Sequence, residues 1–160
     1  QYKSFRGKLR MTQIQTTVAG FVNLFNGLCD KIPHWVLAVI ARVSVAHVFW
    51  QSGQTKVDGF ALKESTFVLF ETIYKGPLMP PVWAAYYSAV AEHVFPVLLI
   101  IGLASRLSAF MLLSMTAVIQ IFVFPDAWPV HIFWLMSLGY IMARGAGALS
   151  LDHLIAKKCS

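Results

Sequence analysis

Charge is scarce in this sequence. Its 160 residues include 13 Lys or Arg and 7 Asp or Glu, 12% in all, about half the ~25% share of an ordinary soluble domain. So few charges exclude a surface built mainly for water. Cysteine is nearly lacking as well. Cys29 and Cys159 form no C-x-x-C and have no nearby Cys or His in sequence. That leaves no thiol-redox pair and no structural zinc site, and free reduced thiols are expected. A cleavable signal is not expected, because the basic "KSFRGKLR" is followed by polar "TQIQTT" rather than an apolar core. No internal repeat and no low-complexity tract stands out.

What the chain does have is apolar length. It is 58% hydrophobic and 14% aromatic, with mean hydropathy +0.65, a composition that makes lipid its main solvent. Four stretches approach the roughly 20 residues that cross a bilayer: Trp35 to Gly53, Val82 to Leu103, Leu107 to Phe124, and Val130 to Ala143. Pro33, Pro80, Pro81, Pro125 and Pro129 lie near their ends, where a missing N–H costs least. Pro96 falls inside the second stretch and predicts a kink just past Glu92 and His93.

The net charge of +6 would suggest nucleic acid in a soluble protein. Here it reads as positive-inside topology, with no nucleic-acid partner. Lys3, Arg6, Lys8 and Arg10 precede the first stretch, Arg106 sits in the turn between the second and third, and Arg144, Lys157 and Lys158 follow the last. Both termini are therefore expected in the cytosol. The expected fold is all-α: a transmembrane four-helix bundle over residues 33–160, preceded by a basic amphipathic helix over 1–32. That leading helix follows from Ile14, Val18, Phe21, Phe25 and Leu28, spaced by fours and threes, and suits a membrane surface or a partner subunit. A second short amphipathic helix is expected in the first outer loop, with Phe60, Phe67, Phe70 and Tyr74 on one side. Trp50, Trp83, Trp128 and Trp134 lie toward the outer ends, as an interfacial belt would.

Two charges fall within the spans, Arg42 and Glu92. Each costs about 2.5–3.5 kcal/mol at a helix centre on insertion scales. Their depths, counted from the span ends, nearly match, so they are expected to pair. Two compatible readings stay open: a buried staple, or a proton-handling carboxylate tuned by the arginine. Outward of this pair come His47, Gln51, Ser52, Gln54 and Lys56, then His93, Gln120 and His131 from the other spans. Every span contributes, which predicts an outward-facing polar cavity. Three histidines on three spans could hold haem or copper. They lack the local i, i+4 spacing that favours ligation, so no metal ligands are assigned.

These residues carry a family resemblance. "ARVSVAHVFWQSGQTKVDGF" is similar to the first-helix signature of the DoxX family, an arginine followed by F-x-x-S-G-x-x-K: Arg42, Phe49, Ser52, Gly53 and Lys56. "AEHVFPVLLIIGLASRLSAF" resembles the second-helix pattern through Glu92, Gly102 and Arg106. The last block resembles the family's closing G-x-G-x-x-S-L-D at Gly145, Gly147, Ser150 and Asp152. The similarity runs from about Ala41 to Ile155, with His93 a departure where many relatives have an apolar residue. It implies a four-helix bundle in a bacterial plasma membrane. The name-giving members are linked to a thiosulfate:quinone oxidoreductase, and others are accessory or assembly partners of membrane complexes.

In the closing block, Gly145 and Gly147 can leave the helix at no steric cost. Ser150 is expected to cap a terminal helix, with Asp152 reaching Arg106 or Arg144. Two functions rank level. The first is a quinone-linked redox subunit, with Glu92, Arg42 and His93 as the proton-handling set and His47, Ser52, Lys56 and His131 holding the quinone. The second is a non-catalytic accessory or assembly protein that anchors a larger complex. In either case the partners are the lipid bilayer and other subunits. Quinone is the implied cofactor, ahead of haem or copper.

Overall fold

The computed structural model describes residues 17–74 and 78–159. Two units are distinguished, Gln1–Pro33 and His34–Ser160. In the first, α1 is the apolar helix Thr17–Cys29. The basic lead-in and Ile14 lie outside the described residues.

The second unit runs α2 (His34–Lys56), a hairpin of β1 (Val57–Asp58) and β2 (Ala61–Leu62), α3 (Glu64–Thr72), α4 (Pro81–Ile101), α5 (Ser105–Val118), α6 (Trp128–Arg144) and α7 (Leu151–Cys159). By length and composition α2, α4 and α5 with its continuation to Val123 can each cross a membrane. The 17-residue α6 packs against α2 and α5.

Burial is inverted relative to a soluble protein. Arg42, Lys56, Ser88, Glu92, Ser105, Ser108, Thr116 and His131 are buried, whereas Leu37, Ile40, Val90, Val97, Leu107, Phe110 and Phe133 are exposed. Such an apolar exterior is stable only where lipid covers it. The α2 interior stripe, Ala38, Arg42, Val45, Ala46, Phe49, Gly53 and Lys56, recurs at threes and fours. It meets Ala85, Ser88, Ala89, Glu92 and Pro96 of α4. Small residues on both faces let the two backbones come close. Leu99, Leu112, Leu138 and Ile141 fill the core between α4, α5 and α6.

Helix ends follow local chemistry. Pro81 opens α4 at a position that needs no N–H donor. Gly102 closes α4 in the left-handed conformation, φ 73°. The Leu103 amide then donates back to the Leu98 carbonyl at 2.9 Å, which satisfies the last turn. Pro96, inside α4, withholds the amide that would otherwise bond the Glu92 carbonyl. The end of α5 widens into a π turn, Ile119–Val123.

The first outer loop differs from the sequence expectation. Phe60 is not on α3. It stands fully exposed at the tip of the β hairpin, where Val57 pairs with Leu62. The two-residue loop Gly59-Phe60, with Gly59 at φ 61° in its first position, sets the hairpin. On α3 itself only Phe70 of the expected aromatics is buried, beside Thr66.

Candidate functional site

The buried carboxylate does not pair with Arg42. Glu92 Oε2 accepts from Lys56 Nζ at 2.7 Å, the one salt bridge among the described residues. The two side chains are 3% and 5% exposed. Lys56 Nζ also donates to Ser52 Oγ at 3.0 Å and, more weakly, to Ser52 O at 3.3 Å. Ser88 Oγ donates to Glu92 Oε1 at 3.0 Å. The ammonium thus has three acceptors, and both carboxylate oxygens are bonded, which is what makes a buried pair tolerable.

Helix register explains the switch of partner. A Cβ on Gly53 would lie 2.8 Å from His93 Cε1 and 3.1 Å from Glu92 Cβ, so Gly53 sits level with Glu92. Lys56 is then less than one turn away, on the same stripe. Arg42, eleven positions earlier, is about 16 Å down the helix axis. The sequence estimate set the two spans flush. In the structure α4 reaches past the end of α2, and α3 packs against that part.

Arg42 instead joins the closing block. Its Nη2 donates to Leu149 O at 2.7 Å, and a Cβ on Gly102 would collide with its Nη1. Its Nε and Nη1 have no hydrogen-bond partner among the described residues. Asp152 reaches neither Arg106 nor Arg144. Its carboxylate accepts from Ala104 N at 2.7 Å and Ser105 N at 2.9 Å, capping α5 with a charge-assisted pair. Ser150 does cap α7, with His153 N donating to Ser150 Oγ at 3.2 Å.

A cavity of about 300 Å³ opens beside the ion pair. Ser52 and Lys56 of α2, Tyr87, Ser88 and Glu92 of α4, Ser114 of α5, and Tyr74 after α3 give it its polar groups. Leu78, Met79, Met115, Val118, Ile119 and Val123 make the rest mostly apolar. The π turn matters here, because it brings Ile119 and Val123 to the wall while freeing Gln120 for another task. Tyr74 stacks edge-on against Phe70 and Phe124, with centroids 5.1 and 5.6 Å away. Burial first, and the Glu92 charge second, push its phenol above the ordinary tyrosine value. It therefore stays a neutral donor.

The residues expected to line an outward polar cavity from every span do not gather in one place among the described residues. Of its residues, only Ser52 and Lys56 join Glu92 at the cavity. His93 bonds Gln54 Nε2 at 3.0 Å and the Ala89 carbonyl at 2.6 Å, edge-on to Trp50. His131 pairs with Gln120 Oε1 at 2.7 Å and stacks on Trp134. Trp134 also packs on Phe49 in the core, not in an interfacial belt. His47 is exposed and has no partner among the described residues. α2 turns it away from the Ser52–Lys56 side. No group of three His, Cys, Asp or Glu able to hold a metal occurs among the described residues.

Sequence reasoning missed Tyr74, Tyr87 and Ser88. Ser88 had a signal: it precedes Glu92 by four, on one helix face. Lys56 likewise follows Ser52 by four. Tyr74 had none, since its place depends on how the loop after α3 returns.

The family model for DoxX matches residues 37–125. An uncharacterized protein of Haemophilus influenzae is 28% identical over 132 residues, covering 76% of this chain and 85% of that protein. No solved structure matches. The family match spans more than half of the 160 residues and takes in Arg42, Lys56, Glu92 and Gly102; this chain belongs to the DoxX family and is an integral membrane protein.

Proposed function

We propose that the chain is a quinone-linked membrane subunit that binds a quinone headgroup beside Lys56 and Glu92 and handles its protons. The supporting observation is a fully bonded ion pair set in the wall of an otherwise apolar cavity of about 300 Å³. That volume lies at the low end for ligand sites, suited to a single substituted ring with its tail leading to lipid. Tyr74 and Lys56 supply donors to a carbonyl. Lys56 can release its longest contact, to Ser52 O, without leaving Glu92. Ser88 lies between the cavity and Glu92 Oε1, so its hydroxyl can pass a proton to or from the carboxylate.

Quinone reduction takes two electrons with two protons. The chain has no cysteine pair and no dinucleotide fingerprint, so a partner protein exchanges the electrons. In this reading α6, about 26 Å long, is the fourth span. The Lys and Arg residues at the α4–α5 turn and the tail put both termini in the cytosol of a bacterial cell. Arg42, His93 and His131 leave the reacting set and act as structural contacts, and exposed His47 takes no part.

The test is direct. The full chain is purified in mild detergent, its lipids are extracted and assayed for quinone, and a short-chain quinone analogue is titrated in. Saturable micromolar binding is expected, weakened at least ten-fold by Tyr74→Phe and by Lys56→Met. Uptake no stronger than partitioning into empty micelles rejects the reading and leaves the ion pair as a staple in an accessory protein.

A further inference from the structure

A second cavity, open-sided and of about 580 Å³, lies at the opposite end of the bundle, where α5 starts and α6 ends. It shares no residue with the Lys56–Glu92 site, and nothing below depends on the quinone reading. Arg106, Arg144, His34 and His153 line it. Neither arginine has a hydrogen bond or ion pair among the described residues. The Arg106 guanidinium lies over Gly145, its Nε and Nη2 both 3.6 Å from where a Cβ would stand. Gly145 (φ 79°) and Gly147 (φ 80°) shape the floor with backbone alone.

The acid in this cavity, Asp152, accepts from the Ala104 and Ser105 amides and forms no ion pair with either arginine among the described residues. His34 is tied to the Tyr140 hydroxyl at 2.7 Å. Ser105 also lines the cavity. It is fully buried, and its hydroxyl has no hydrogen-bond partner among the described residues. Two uncommitted guanidinium forks around an open hollow, with an unpartnered hydroxyl buried in its wall, match a phosphate group.

The surroundings indicate where that phosphate comes from. Leu107, in the cavity wall, is 60% exposed. Leu149, Leu151, Leu154 and Ile155 beside it are also exposed, and α7 ends in Lys157 and Lys158. An apolar rim at the end of a bilayer-crossing bundle gives acyl chains somewhere to lie. We infer that this cavity binds the phosphate of an anionic phospholipid, clamped between Arg106 and Arg144.

The full chain in neutral detergent is titrated separately with phosphatidylglycerol, with phosphatidylcholine of the same acyl chains, and with inorganic phosphate. Bound species are counted by native mass spectrometry. Each basic side chain near a lipid headgroup is worth about five-fold in affinity, so phosphatidylglycerol is expected to be preferred about 25-fold. In Arg106→Gln with Arg144→Gln the preference falls to near parity, and in Lys157→Gln with Lys158→Gln it changes less than three-fold. The inference is overturned if the arginine variant keeps its preference, or if the lysine variant loses as much. It is overturned equally if inorganic phosphate alone binds and displaces the lipid. Should the arginine pair fail to assemble, the unmodified chain decides: equal binding of the two lipids refutes the site.

Discussion

Replacing Glu92 by glutamine keeps the side chain's shape and its contact with Ser88, but leaves the Lys56 ammonium facing a neutral amide. The two side chains are 3% and 5% exposed, so solvent gives the stranded cation little help. Breaking a buried pair from one side costs about 3–5 kcal/mol, and a single mid-membrane charge about 2.5–3.5 kcal/mol. A loss of about 3 kcal/mol is therefore expected for Glu92→Gln, and a similar loss for Lys56→Met. The double variant removes both charges at nearly constant volume and should cost only about 1 kcal/mol. The coupling is then about 5 kcal/mol, or several thousandfold in the unfolding constant. Reversible unfolding in mixed micelles of increasing SDS content, followed by helicity, measures all four corners of the cycle. If each single change costs under 1 kcal/mol and the two add, the pair is not the energetic unit described above.

Glycine substitutions offer a paired comparison. Gly102→Ala places a methyl group against Arg42 and 2.8 Å from Ser150 Cα at φ 73°; left-handed strain of about 1–2 kcal/mol and overpacking of about 1–3 kcal/mol add. Gly59→Ala, at φ 61° with nothing within 4 Å, meets only the strain, so equal losses in the SDS assay would count against the Arg42 packing. Tyr74, whose phenol is raised by burial and then by Glu92, contributes stability that is complete below the unfolded tyrosine value and is lost as pH rises through the folded one. The phenolate absorbance missing from Tyr74→Phe should thus be the component with the highest midpoint, and a midpoint near the ordinary value of about 10 would contradict its burial.

The membrane helices were legible because apolar runs and prolines are local signals; α2, α4 and α5 with its π continuation to Val123 begin and end within a few residues of the expected places. The β hairpin had a signal in Gly59, which opens its two-residue loop, but aromatic spacing pointed to a helix. Pairing inside the bundle was not readable. Matching Arg42 to Glu92 by depth assumed flush helices, whereas the close approach at Gly53 sets a register that brings Lys56 to the carboxylate. Asp152 went astray for a related reason. Opposite charge suggested Arg106 or Arg144, yet the bare amides of Ala104 and Ser105 are nearer and need an acceptor more. Tyr74 depends on a loop whose path no periodicity encodes.

The bond from Arg42 to the Leu149 carbonyl spans 107 positions of chain. At about 5–20 residues per second, a ribosome takes roughly 5 to 20 seconds to deliver the acceptor after making the donor. Throughout that interval α2 carries a guanidinium that the folded molecule will seal. A segment made late thus acts as the latch on one made early, and chains halted before Leu149 should be the ones that membrane proteases clear fastest.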